Sequence, residues 1–321
     1  MGRTTADVPG LIPECMQLPP ARKGERALAR RRRLAAYGLL APGGLYLLIG
    51  FVAPLVVIVI TSLSSGGGLF SSGGVTTFSW QFSNYTTALS ENWQIYIRSV
   101  MFAAIATAVC IGLAYPMAYW IAFYGGKWKA TLFMMILVPF FVSFVIRTVQ
   151  WNFILGTDGL LLGPLKNWGL LGQDFQVLKT STAVIAGITY NYMPFAALPL
   201  YVALERIDRR LVEAAKDLYA SQAMAFRKVV LPLSFPGIFA AVILTFVPAT
   251  GDYINSVILG GKGPGTTMIG VLIQDYFLNR HLYPDAAALS VILMLGMLVL
   301  AVAYARALGT EEASLSAGAT G

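Results

Sequence analysis

An all-α integral membrane protein with six transmembrane helices is the fold class this sequence predicts, and three observations carry the prediction. Hydrophobic residues make up 57% of the chain and charged residues only 12%, against about 25% charged in ordinary soluble domains. Six apolar runs each reach the ~20 residues a helix needs to cross a ~30 Å hydrocarbon core. Lysine and arginine gather in alternate connections, the pattern of loops retained on the inner side of a membrane.

Residues 1–34 form a basic N-terminal tail that ends in Arg30, Arg31, Arg32 and Arg33. The apolar stretch after it begins too late and runs too long for a cleaved secretory signal, so 35–63 reads as the first span, with the arginines as its anchor at the lipid surface. Residues 64–92 are rich in Gly and Ser, then aromatic, and lack Lys and Arg, which suits an external loop. Span two is expected over 96–124 and span three over 130–151, joined by a short basic turn. Residues 152–180 are too interrupted to span and read as an interfacial or re-entrant segment. Span four is expected over 182–204, span five over 237–259 and span six over 286–308, with 309–321 a polar C-terminal tail. One membrane domain, 35–308, thus holds all six spans.

Charge distribution sets the orientation. With the N-terminus inside, the inner side holds the tail arginines, Lys127, Lys129, Arg206, Arg209, Arg210, Lys216, Arg227, Lys228 and Arg306, and the outer side only Arg98, Arg147, Lys166, Lys179, Lys262 and Arg280. Both termini and the 205–236 connection are therefore expected in the cytoplasm. The net charge of +8 is explained by topology and lipid contact, not by nucleic acid. Two cysteines, Cys15 and Cys110, suggest no disulfide framework, and His281, the only histidine, cannot build a metal site alone. Neither Gly261-Lys262 nor Gly126-Lys127 has the spacing of a phosphate-binding loop. An enzyme is disfavoured on these grounds, and an ion-driven transporter by the lack of a detectable inverted repeat.

The 205–236 connection is a charged insert between apolar runs. Read as helix, Leu204, Ile207, Leu211, Ala215 and Leu218 share one face. Ala220-Ser221 looks like a break, Ser221 can cap a second short helix, and Pro232 is expected to stop it. Among ionisable residues inside the spans, which default to functional candidates, Asp252 stands out in the run Asp252-Tyr253-Ile254-Asn255. Tyr190, Asn191 and Tyr192 enter span four at a similar depth, and Arg147 and Trp151 lie at the outer end of span three. A carboxylate among tyrosines and tryptophan could hold an alkylammonium by ion pairing and cation–π attraction. Alternatively, Asp252 pairs with Arg147 or caps a broken helix.

Glu213, Ala214, Ala215, Leu231 and Pro232 resemble the Glu-Ala-Ala loop of permease subunits of type I ATP-binding-cassette importers, with their MetI-like fold. Tyr219 stands where that pattern has glycine, so either the turn moves to Ala220-Ser221 or the loop is shaped differently. The resemblance implies that Glu213 contacts a partner ATPase, that Ala214 and Ala215 permit close packing, and that Arg209, Arg210 and Asp217 lie on the rim. Over 96–308 the chain is similar to permeases of spermidine/putrescine importers, through Leu137-Val138-Pro139-Phe140-Phe141-Val142-Ser143, Tyr192-Met193-Pro194-Phe195, Leu231-Pro232-Leu233 and Gln274-Asp275-Tyr276. Permeases for opines, thiamine and ferric iron share much of this layout. Such importers pair two homologous permeases with an ATPase dimer, which holds ATP and Mg, and an external solute-binding protein. The resemblance therefore implies no cofactor in this chain and a place in a bacterial cytoplasmic (inner) membrane.

Overall fold

The structure, a computed structural model, describes the backbone of residues 23–65, 77–157, 159–160, 162–170, 172, 174–261 and 263–318, and side chains within 40–306 of these. The basic residues of the tail, including Arg30 to Arg33, together with Cys15 and Lys262, lie outside the described side chains. The chain divides into two units, Met1–Val57 and Ile58–Gly321.

Helix α1 (Lys23–Ser62) carries Pro42 and Pro54 and is apolar over Leu40–Ser62, a length of 23 residues that suffices to cross a bilayer. After it, Ser64–Ser65 (β1) pairs antiparallel with Thr77–Phe78 (β2). Helix α2 (Ser83–Tyr124) starts well before the expected position 96. Its first turns look polar in sequence, yet Ala88 is buried with Ile269, Ala288 and Leu289, and the Asn92 amide donates to the Ala88 carbonyl at 3.1 Å. Packing on one face extends the helix where hydropathy alone does not.

Span three is two helices. Helix α3 (Lys129–Leu137) runs into a 3-10 turn, Val138–Phe141, and α4 (Phe144–Leu155) leaves at 89° to the first half. Pro139 lies in that turn and Val142 is extended, so the helix breaks outright rather than kinking. A short α5 (Leu162–Asn167) follows. Helix α6 (Ser181–Glu205) opens with the Thr180 hydroxyl accepting from the Ala183 N–H.

Helix α6 ends at Glu205 and α7 (Arg209–Asp217) starts afresh, capped by the Asp208 carboxylate. The apolar stripe expected to run from Leu204 to Leu218 is therefore cut. Leu204 and Ile207 are buried, but Leu211 and Leu218 are exposed. Ser221 caps α8 (Gln222–Ala225) as expected, accepting from the Met224 N–H. Pro232 does not stop the helix. A π-helical segment, Phe226–Val230, passes directly into α9 (Leu231–Thr250), which places Pro232 in the first turn of α9. Proline is tolerated there because those N–H groups need no α-helical partner. Span five thus runs over Gln222–Thr250 rather than 237–259. A break at 251–253 separates it from α10 (Ile254–Gly260), and α11 (Ile269–Gln274), a second π segment (Asp275–Asn279) and α12 (Tyr283–Gly318) complete the unit. The six expected spans appear as five long helices and the bent α3–α4 pair.

Small residues set the packing between α2, α6 and α9. Cys110, Ala114, Ala118 and Ala122 recur every fourth residue along α2 and meet Ala196, Ala197, Leu200 and Leu204 of α6 and Ala241 of α9. Within lipid, helices gain little by hiding apolar surface from tails that are equally apolar, so close van der Waals approach of small side chains takes over. Gly237 is an extreme case. A Cβ there would sit 2.3 Å from the Ala203 Cβ and 3.0 Å from the Pro199 carbonyl. Cross-links then define two ends of the bundle. At one end, the Lys129 ammonium pairs with Glu205 at 2.7 Å and the Arg209 guanidinium donates to the Ala122 carbonyl at 2.9 Å. At the other, Arg98 donates to the Pro264 carbonyl and the Lys179 N–H to the Leu259 carbonyl.

Candidate functional site

Two places in this framework combine interrupted helices with polar chemistry. The first is the elbow formed by α7 and α8. Its inner side is braced on the end of α2 by the Arg209–Ala122 bond, by the Gln222 amide donating to the Tyr124 hydroxyl at 2.9 Å, and by Phe226. The Phe226 ring meets Tyr119 and Tyr115 edge-on, with centroids 5.5 and 5.9 Å apart. Val212, Glu213 and Lys216 line a small cleft against Tyr119 and Phe123. Arg209 thus donates to its own chain although it is exposed, as are Arg210, Glu213, Ala214 and Asp217, and Ala215 is half-buried. Glu213 makes no ion pair among the described residues. Leu231 and Pro232 lie where the elbow enters α9.

The turn ending α7 does not move to Ala220-Ser221. The Ala220 N–H bonds the Ala215 carbonyl and the Tyr219 N–H bonds the Lys216 carbonyl, the paired closure that usually ends on glycine. Tyr219 occupies the glycine-type position with φ of 60°. For a residue with a Cβ this conformation costs about 1–2 kcal/mol.

The second place is the 251–253 break. The Asp252 carboxylate is only 5% exposed. One oxygen accepts the Asn255 N–H at 3.0 Å and the other the side-chain amide of Asn255 at 2.6 Å, while the Tyr192 hydroxyl donates to the Pro248 carbonyl at 3.4 Å. The Asn255 Oδ1 in turn accepts from the Asn191 side-chain amide at 3.0 Å, which also donates to the Thr148 hydroxyl at 2.9 Å. Asp252, Asn255, Asn191 and Thr148 therefore form one buried network tying the 251–253 break to α4, α6 and α10. Gly187 makes room for it, since a Cβ there would come within 2.7 Å of the Asn255 Oδ1.

Arg147 is not in that network. Its guanidinium lies 4.3 Å from the Phe140 ring centre and 5.9 Å from those of Phe144 and Tyr190, and Trp151 meets Tyr190 edge-on. The Arg147 Nε and Nη1 atoms are buried without a hydrogen-bond partner. Tyr253 points elsewhere, into a pocket with Gly251, Gly270, Gln274 and Phe277. The Asp252–Arg147 pair does not form among the described residues, while Asp252 does cap the broken helix.

Residues 114–308 match the family described as binding-protein-dependent transport system inner membrane component. The chain belongs to this family. It is a multi-pass inner-membrane permease component of an ATP-binding-cassette importer and not itself an enzyme. Among curated proteins, this permease is 33% identical over 254 residues to the spermidine/putrescine transport system permease protein PotB of Haemophilus influenzae, covering 79% of this chain and 86% of that one. It is 35% identical over 225 residues to PotB of Escherichia coli, covering 70% and 81%, and 29% identical over 285 residues to the inner membrane ABC transporter permease protein YdcU of the same organism, covering 77% and 87%. Its fold matches a bacterial ABC transporter involved in the import of the acidic polysaccharide alginate, with a TM-score of 0.66 over 88% of this chain and 97% of that one at 17% identity.

Sequence reasoning about this permease missed Thr148, the Arg209 brace and the aromatic setting of Phe226. Thr148 had a usable signal, a hydroxyl one residue after Arg147 in a helix that starts at a break. Arg209 had none, because its partner is a backbone carbonyl of another helix.

Proposed function

We propose that this chain is one of two permease subunits that together form the membrane path of an ATP-driven importer of spermidine and putrescine. The observation that carries the substrate assignment is its 33–35% identity to spermidine/putrescine permeases along most of its length. The N-terminus and the elbow face the cytoplasm, where a dimeric ATPase holding ATP and Mg grips the exposed face of α7 through Glu213. The brace on α2 supports this reading, because a handle transmits force only if its inner side cannot slide. Ala214 and Ala215 bring the ATPase close to the α7 backbone, and Arg210 and Asp217 form the rim. An external solute-binding protein delivers substrate, a reading supported by the bacterial alginate ABC transporter found in complex with an alginate pentasaccharide-bound periplasmic protein.

Asp252 in this reading holds the helix break and does not meet substrate directly, since both of its oxygens are engaged within the chain. What this subunit offers a polyamine is aromatic: Tyr190 and Phe140, faces that Arg147 occupies in the present conformation, with Trp151 packed edge-on against Tyr190. An alkylammonium would compete with Arg147 for the same quadrupoles. The deciding experiment is reconstitution of this chain with its second permease, ATPase and binding protein in vesicles. ATP-dependent uptake of labelled spermidine is expected, together with its loss in Glu213→Ala. Uptake by this chain without ATPase, or no polyamine uptake by the full set, defeats the proposal.

A further inference from the structure

We infer that Tyr219, displayed beside Leu218 at the end of α7, is a docking residue whose ring enters an apolar recess on the partner ATPase. This rests on the coupling reading above and adds a contact that the glycine-type pattern of the family does not contain. Leu218 is 82% exposed and Tyr219 99% exposed. They form an apolar pair at the tip of an elbow whose opposite side is closed against α2 by Arg209, Gln222 and Phe226. The pair therefore points away from the rest of its unit and adjoins Lys216 and Asp217.

The backbone supplies the second line of argument. The turn closes through two main-chain hydrogen bonds, from the Tyr219 and Ala220 N–H groups. Glycine would make both without strain, because the φ of 60° found here suits a residue lacking a Cβ. The tyrosine side chain thus adds nothing to the turn, packs on nothing, and opposes the conformation it is held in. Strain retained at an exposed aromatic residue marks a surface whose counterpart lies outside the chain, and tyrosine is among the residue types that dominate binding energy when fully enclosed.

The test uses the two-permease complex in nanodiscs, titrated with its ATPase, in wild type and in Tyr219→Gly, Tyr219→Asn, Tyr219→Phe and Glu213→Ala forms. Removing the ring in the Gly and Asn variants is expected to weaken ATPase binding about tenfold, while Phe binds like wild type. In the absence of ATPase, Tyr219→Gly should melt no lower than wild type. If Glu213→Ala weakens binding and the Gly and Asn variants do not, the docking role of Tyr219 is wrong and the coupling reading stands. If neither Glu213 nor Tyr219 variants weaken binding, the coupling reading falls and takes this inference with it. A Tyr219→Gly complex that melts lower without ATPase would make Tyr219 structural and overturn the inference too.

Discussion

The helical bundle is interrupted at 251–253 and again at 206–221, and the two interruptions are satisfied from opposite directions. At the first, side chains of the same unit turn inward: Asp252 accepts the Asn255 N–H at the start of α10, and Asn255, Asn191 and Thr148 extend the network. At the second, the backbone closes itself through capping and the Tyr219 turn, and the side chains of α7 are left facing outward. The difference follows from solvent. Inside the membrane span no water is available for an open helix end, so a break must carry its own partners. An elbow in water can leave charges and even an aromatic ring unpartnered, which keeps them free for another protein. Damage at the inner break should therefore be read in folding, and damage at the elbow in assembly and coupling.

The segment linking the two regions is the α6–α9 crossing, and it should show the largest stability effect. Gly237→Leu would drive a side chain into Ala203 and the Pro199 carbonyl, which a Cβ alone would already approach to 2.3 and 3.0 Å. A loss of about 3 kcal/mol is expected, seen as a lowered melting temperature in detergent and poor yield. Near-normal melting would mean that α6 and α9 can separate freely, and the rigid link between break and elbow would be lost.

Next comes the inner break itself. Asn255→Ala strands the second Asp252 oxygen in a buried site and removes one of the two bonds of the Asn191 amide, at a cost of about 2–3 kcal/mol. Asp252→Asn sharpens the comparison further, because two amides then face each other where an amide met a carboxylate. The expected result is reduced folded protein and reduced uptake rate with an unchanged KM for spermidine. A raised KM at normal stability would place the carboxylate in contact with substrate and reverse its assignment here.

How far each region was legible differs for the same physical reason. The spans follow from composition, and the capping of α8 by Ser221 from local chemistry. The early start of α2 does not, because Ala88 is held in the helix by packing on α11 and α12. In so apolar a chain, hydropathy is nearly flat within the spans and cannot mark a packing face. The face is marked by small residues, the four-residue spacing from Cys110 to Ala122. Asp252, Asn255 and Asn191 were visible as polar residues inside spans, but which of them touch depends on the break, and Gly251 reads equally well as the interior of span five. Pro232 misled because its effect depends on whether it falls in the interior or the first turn of a helix, and the π segment Phe226–Val230 decides that. At Tyr219 the sequence posed the conflict correctly, and the structure answers it by keeping the left-handed turn and the tyrosine together.

At the elbow the stability effects shrink. Arg209→Ala deletes one bond to the Ala122 carbonyl at a half-open site, about 1 kcal/mol. Its functional signature should be slippage, with substrate-stimulated ATP hydrolysis retained but fewer molecules of spermidine imported per ATP. Tight coupling in this variant would show that Phe226 and Gln222 brace α7 without help.

Glu213→Ala should change stability least and function most. The carboxylate is exposed and has no ion pair among the described residues, so melting of the permease alone should move by no more than about 0.5 kcal/mol equivalent. Alanine also favours helix more than glutamate does, which acts against any loss in α7. Uptake and binding-protein-stimulated ATPase activity should nonetheless fall together, because the charge is available only to a partner. A variant that destabilises the isolated permease would mean that Glu213 works inward, toward the cleft with Tyr119 and Phe123 that it also lines. The elbow would then resemble the 251–253 break, satisfied from within, and the contrast between the two regions would disappear.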